Sequence, residues 1–247
     1  MTMMTMTMVG TIIPTTTSID PVPPLLRLVW LASPALPIGA FSYSEGLEAA
    51  VEHGHVHDDQ STAIWLTQQL ALLARGDLAA IAHGIAAWRT QDEPALRDLA
   101  DWLRRTRDGA EARLQSEQMG QSLLAWLRPQ GMASPAQLAL LTDVAAGQSP
   151  PYPLVMALAL STVEVPIEQA LQAQAFGWAE NQVQAALKAV PLGQNAGQRV
   201  LARLAAAIPQ AVAQAIATPP ARRQVFAPML SILAARHETQ YSRLFRS

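Results

Sequence analysis

Apolar residues recur at helical spacing along most of the chain, and turn-forming residues punctuate them. Ile64, Trp65, Leu66, Leu70 and Leu73 mark one helical face, and Leu78, Ile81, Ile85 and Trp88 mark a second. Gly76-Asp77 between them predicts a break, so two antiparallel neighbours are expected. Pro94 opens a helical tract expected to run toward Arg128, with Gly109 and Gly120 as bends or points of close packing. Within it, Arg97/Asp101, Asp101/Arg105 and Arg107/Glu111 have the four-residue spacing of supporting ion pairs. Ser134-Pro135 reads as a cap and a first-turn proline for a helix through Val144. The run Leu154–Leu160 fits a buried helix or a short strand, and the helical repetition around it favours helix. After Val165-Pro166, the positions of Leu171, Phe176, Trp178, Val183 and Leu187 predict a long helix. Lys188 falls in its last turn, where a cation is favoured. Pro191-Leu192-Gly193 stops that helix, and residues 194–198 are expected as a polar connection to another, which carries Val200, Leu201, Leu204 and Ile208. A last helix includes Leu230, Ile232 and Leu233.

The stretch from Leu31 to Gly54, LASPALPIGAFSYSEGLEAAVEHG, breaks this rhythm. Pro34 and Pro37 remove amide donors and restrict their neighbours, which predicts an ordered non-helical approach, and Gly39 allows a tight bend. Ser42 stands three residues before Glu45, the spacing of a reciprocal cap, with Phe41 placed to staple it. Leu47, Ala50 and Val51 then form an apolar stripe, Glu45, Glu48 and Glu52 an acidic one, and Gly54 a stop. Asp59 or Ser61 is the expected cap of the next helix. Between the two helices lie His53, His55 and His57, beside Asp58 and Asp59. These are donors suited to nickel or zinc, although the same residues also suit a solvated turn.

Half of the residues are hydrophobic and only 15% are charged, which supports a buried core. The net charge of -2 gives no global attraction to nucleic acid or anionic membrane. There is no cysteine, which excludes disulfides, thiolate metal sites and cysteine nucleophiles and agrees with a reducing cytosol. Residues 1–24, rich in Met and Thr, read as a flexible arm without the basic and apolar regions of a secretory signal. No uninterrupted apolar run approaches the roughly 18 residues of a membrane span. Gly193 through Gly197 lacks the Lys-Ser/Thr ending of a phosphate loop. No nucleophile, acid/base pair or closed metal constellation emerges, so no enzyme is expected. His237 and Glu238 are adjacent on a helix and so do not face each other.

Three separated signatures carry a family likeness: LASPALPIGAFSYSEGLE at Leu31–Glu48, ENQVQAALKAVPLGQNAGQ at Glu180–Gln198 and RHETQYSRLFRS at Arg236–Ser247. Together they resemble UreF, the urease accessory protein family of nickel-dependent urease maturation, over most of residues 25–247. The resemblance implies an all-α fold, a single compact domain of roughly ten helices over residues 25–235. The arm, 1–24, precedes it and a partner-binding tail, 236–247, follows. It also implies a non-enzymatic scaffold, cytoplasmic and homodimeric. Such a scaffold binds UreD (UreH in some organisms) and recruits the nickel-binding GTPase UreG to apo-urease, coupling its GTP cycle to nickel delivery. Nickel and GTP would be handled by that partner complex, with no cofactor bound by the chain itself and no nucleic-acid or membrane partner.

Residue by residue, Glu48 and Lys188 match positions linked to the UreG-facing surface of the family. Pro191, Leu192, Gly193, Gln194, Gly197 and Gln198 match a motif expected to hold a helix connection and shape the adjoining interface. Tyr241, Arg243, Leu244, Phe245 and Arg246 match the tail associated with UreD/UreH binding, with Phe245 as an apolar anchor and Arg246 as a charged contact. The competing reading is a direct nickel chaperone using His53, His55 and His57.

Overall fold

In a computed structural model, residues 22–107 and 109–246 are described; nearly all of the expected arm, 1–24, lies outside them. Among the described residues the chain is all-α. Ten α-helices follow one another: α1 (Pro24–Ala32), α2 (Leu47–Glu52), α3 (Asp59–Thr90), α4 (Glu93–Arg105), α5 (Ala110–Leu127), α6 (Pro135–Val144), α7 (Tyr152–Ser161), α8 (Ile167–Ala189), α9 (Gln194–Ala217) and α10 (Pro228–Glu238).

The short, wholly apolar α7 is the centre of the domain. Pro153 to Leu160 are all buried, so this helix has no polar face to turn outward. The second half of α3, α4, α5 and α1 pack around it, while α8 and α9 lie side by side and close the far flank of α3. The crossing of α5 is close because Gly120 presents backbone to the Pro150 carbonyl. The ring of Trp30 on α1 meets Trp126 on α5 edge-on, with centroids 5.1 Å apart. By length and composition α3 and α9 could each cross a membrane, but 61% of the most apolar window of α3 is buried in this fold, and 33% of that of α9.

Four local expectations need correction. Gly76-Asp77 does not end a helix: α3 continues through a π-turn over Ala74–Leu78. The wider turn lets the Arg75 carbonyl take the Gln224 amide proton (3.0 Å) and sets Asp77 against Arg107 (2.8 Å). The tract after Pro94 divides at Gly109 (φ 91°) into α4 and α5. Arg107 therefore leaves the helix and pairs with Asp77 rather than Glu111, and Arg97 pairs with Glu93 and Asp143 rather than Asp101. Residues 194–198 are not a loop, because α9 already starts at Gln194 and only residues 190–193 turn.

The fourth correction concerns the organising stretch. Ser42 closes a short 3-10 turn, Ala40–Ser42, instead of capping α2. Glu45 (φ 51°) and Gly46 (φ 83°) are both left-handed, so the chain swings round before α2 begins at Leu47. The hydroxyl of Ser44 accepts from the Glu48 amide (3.3 Å), and the Glu45 carboxylate is released for other partners. The cap of α3 is Asp58, one residue ahead of expectation, with Ser61 reciprocating. Ser134 with Gln137 forms a capping box at α6, as the sequence predicts.

Candidate functional site

The three sequence signatures, far apart along the chain, meet in space. A second apolar cluster, separate from the main core, joins Leu47, Ala49 and Ala50 of α2 to Ala185, Ala186 and Val190 at the end of α8, with Leu233 of α10 and Phe245 of the tail. Of the elements that contribute, α8 is anchored in the main core through Leu171, Ala175, Ala179 and Val183, whereas α2 is only six residues long. The apolar sides of these elements fold over one another.

The buried Phe245 is the apolar plug of this cluster, and the Lys188 ammonium lies 5.8 Å from its ring centroid. Arg246 is tied at both ends: its amide donates to the Ser42 carbonyl (2.8 Å) and its guanidinium to Gln118 (3.4 Å). Arg243 donates to Glu111 at 2.7 Å. Phe245 and Arg246 therefore touch their own domain, whereas Tyr241, at 106% relative exposure, and Leu244, at 69%, carry the free apolar surface of the tail.

Glu48, expected on an acidic surface stripe, is only 7% exposed and lies beneath the tail. Lys188 is exposed at the rim of the same cluster. In the adjoining turn, Pro191, Gly193, Gln194 and Gln198 are exposed, Leu192 packs partly against the cluster, and Gly197 is buried against Leu187. The structure thus brings Glu48, Lys188 and Phe245 together, with the 191–198 turn alongside.

Two of the three histidines that follow α2 have local partners. His53 Nδ1 lies 2.8 Å from the Ala49 carbonyl, and His57 meets Ser61 within the α3 cap. Among the described residues no group of three or more His, Asp or Glu side chains is arranged to hold a metal ion.

Sequence reasoning considered His237 only beside Glu238 and missed its partners, which come from two distant helices. Its Nδ1 lies 2.9 Å from Glu111 on α5 and its Nε2 3.3 Å from Glu48 on α2. The signal available was its place four residues after Leu233, on the face of α10 that turns inward.

Beneath this region lies a cavity of about 250 Å³, bordered by Glu45, Asp77, Arg107, Gln115, Trp178 and Leu230. Glu45 accepts from Trp178 (2.9 Å) and Gln115 (3.1 Å), yet burial outweighs these bonds and pushes its carboxyl above the ordinary 4.5. The folded protein then favours the protonated acid, whereas the unfolded chain ionises it once pH exceeds 4.5. Stability from this residue is complete below that value and is lost as pH rises through the folded-state pKa. Urea unfolding of wild type and Glu45→Gln checks this. The variant gains on the wild type as pH rises above 4.5, and a pH-independent difference contradicts the assignment.

The tail is thus seated by Phe245 and by the contacts of Arg243 and Arg246, with Tyr241 and Leu244 left outside on an all-α frame. Comparison with known proteins supplies the family. A family profile described as UreF matches residues 56–205. The chain is 58% identical over 230 residues to the urease accessory protein UreF of Paracidovorax citrulli, covering 92% of this chain and 90% of that one. It is 55% identical over 228 residues to that of a Polaromonas species (92% and 96%), and 55% over 224 residues to that of Methylibium petroleiphilum (90% and 94%). The chain belongs to the UreF family of urease accessory proteins.

Proposed function

We propose that this protein is a non-enzymatic scaffold of urease maturation in the cytoplasm. It binds UreD/UreH through its C-terminal tail and recruits the nickel-binding GTPase UreG to apo-urease, coupling the GTP cycle to nickel delivery. Nickel and GTP are cargo and substrate of the assembled partners. The observation that carries the reading is the convergence of α2, the end of α8 and the tail in one cluster, with Tyr241 and Leu244 exposed and Lys188 over the Phe245 ring.

Within this reading the residues divide by exposure. Tyr241, Arg243 and Leu244 face UreD/UreH, while Phe245 and Arg246 secure the segment from behind. Exposed aromatic and arginine side chains are the residue types that dominate interface energies. Lys188 faces UreG, with the turn Pro191, Leu192, Gly193, Gln194, Gly197 and Gln198 shaping the adjoining surface. Glu48 contributes from beneath. Coupling to the GTP cycle requires the scaffold to bind one nucleotide state of UreG more tightly than the other. Self-association of two copies would use exposed apolar surface such as Leu25, Leu26 and Val29 of α1.

A binding assay with purified UreD/UreH and UreG tests the proposal. Deleting residues 241–247 is expected to weaken UreD/UreH binding at least about a hundredfold, the loss of one or two interface hot spots. Unchanged binding refutes the role of the tail. Lys188→Glu is expected to lower UreG recruitment while leaving UreD/UreH bound.

A further inference from the structure

The C-terminal segment is held by more than the burial of Phe245. One Glu48 oxygen takes the Leu244 amide proton (2.8 Å) and the Gln240 side-chain amide (3.5 Å), and the other takes the Phe245 amide proton (2.9 Å). That second oxygen also faces His237 Nε2 at 3.3 Å. The opposite imidazole nitrogen meets Glu111, which in turn receives Arg243. Through its two ring nitrogens His237 on α10 thus bridges the carboxyl groups of Glu48 on α2 and Glu111 on α5. His237 has no exposed surface at all. A carboxylate as buried as Glu48 is costly unless donors surround it, and the tail provides three of them. Docking of the tail and satisfaction of Glu48 are therefore one event.

We infer that Glu48, braced by His237 and Glu111, is the intrachain seat of residues 240–246: a positioning residue that sets the geometry of Tyr241, Arg243 and Leu244 without itself touching a protein partner. The seat is a property of the isolated chain; its consequence for partner binding rests on the reading proposed above. A segment fixed before contact loses less conformational freedom on binding, so loss of the seat weakens association through the tail.

Amide hydrogen exchange on the full-length chain tests the seat without any partner. Glu48→Gln keeps the volume but removes the charge, and it is expected to speed exchange at Leu244 and Phe245 about ten- to a hundredfold, with α7 amides unchanged. Glu48→Asp keeps the charge and shortens the reach, so it should act on the same two amides. Lys188→Met, which removes only the contact over the Phe245 ring, should change them about fivefold at most. If both Glu48 variants leave Leu244 and Phe245 exchanging as in the wild type, the seat is refuted. It is equally refuted if these amides already exchange at unprotected rates in the wild type. UreD/UreH affinity measured on the same variants separates the two ideas. Faster tail exchange with unaltered affinity sustains the seat and overturns the partner role of the tail.

Discussion

Gly120→Ala is expected to cost about 3 kcal/mol of folding stability, a large effect for a single methyl group. A Cβ at this position would stand 2.0 Å from the Pro150 carbonyl oxygen and 3.0 Å from the Tyr152 amide. Both are main-chain atoms in the short turn that feeds α7, so no side-chain rotation can clear the space. Either α5 withdraws, opening the packing of Met119, Leu123 and Leu127, or the turn moves and carries the first residues of α7 with it. Gly193→Ala is the matched control, because its backbone is extended (φ -77°) and nothing lies within 4 Å of the added carbon. Denaturant unfolding of the two variants distinguishes steric conflict from the general effect of replacing glycine, which is below about 1 kcal/mol. Equal midpoints would show that α5 and the turn before α7 separate freely.

Much of the fold was legible in the sequence because local signals and burial agree there. The run around Leu154–Leu160 has no polar face, and the structure buries every residue of it. Ser134-Pro135 starts α6, and Lys188 lies in the last turn of α8. Two of the failures share one cause, since each involves a residue whose partner lies far away in the chain. Gly76-Asp77 looks like a stop when read locally, but the Gln224 amide and Arg107 stabilise a π-turn at that place. Glu45 has the spacing of a cap for Ser42, yet it bonds Trp178 and Gln115 across the cavity instead.

The site followed the same rule. The tail residues and Lys188 were identified by their signatures, but spacing along the chain gave no means of seeing that Glu48 would lie under Phe245. Nor could it supply Glu111 as the partner of His237, since 126 residues separate them. What the signatures did carry was their joint occurrence. Residues of all three segments are brought to one cluster, and the contacts among them account for residue choices that looked unrelated in the linear chain.

The second large effect is expected at Trp88, where the main core is joined by a polar bond as well as by packing. The indole is 1% exposed on the last full turn of α3, and its Nε1 donates to the Leu154 carbonyl (3.3 Å) at the start of α7. Trp88→Ala empties the volume of the largest fully buried side chain and should cost about 3–5 kcal/mol. Trp88→Phe keeps most of the ring contact but removes the donor, leaving the carbonyl to the α7 helix alone, and should cost about 1–2 kcal/mol. The ratio of the two losses, read from denaturant midpoints, separates packing from hydrogen bonding. If Phe proves as damaging as Ala, the indole N–H dominates; if Phe is neutral, the carbonyl is satisfied without it. Either way the effect should remain in the α3–α7 core, because Trp88 belongs to the main cluster and Phe245 to the second. Hydrogen exchange at Leu244 and Phe245 should therefore speed up only as far as global unfolding does, showing that the tail seat and the core are separately stabilised parts of one domain.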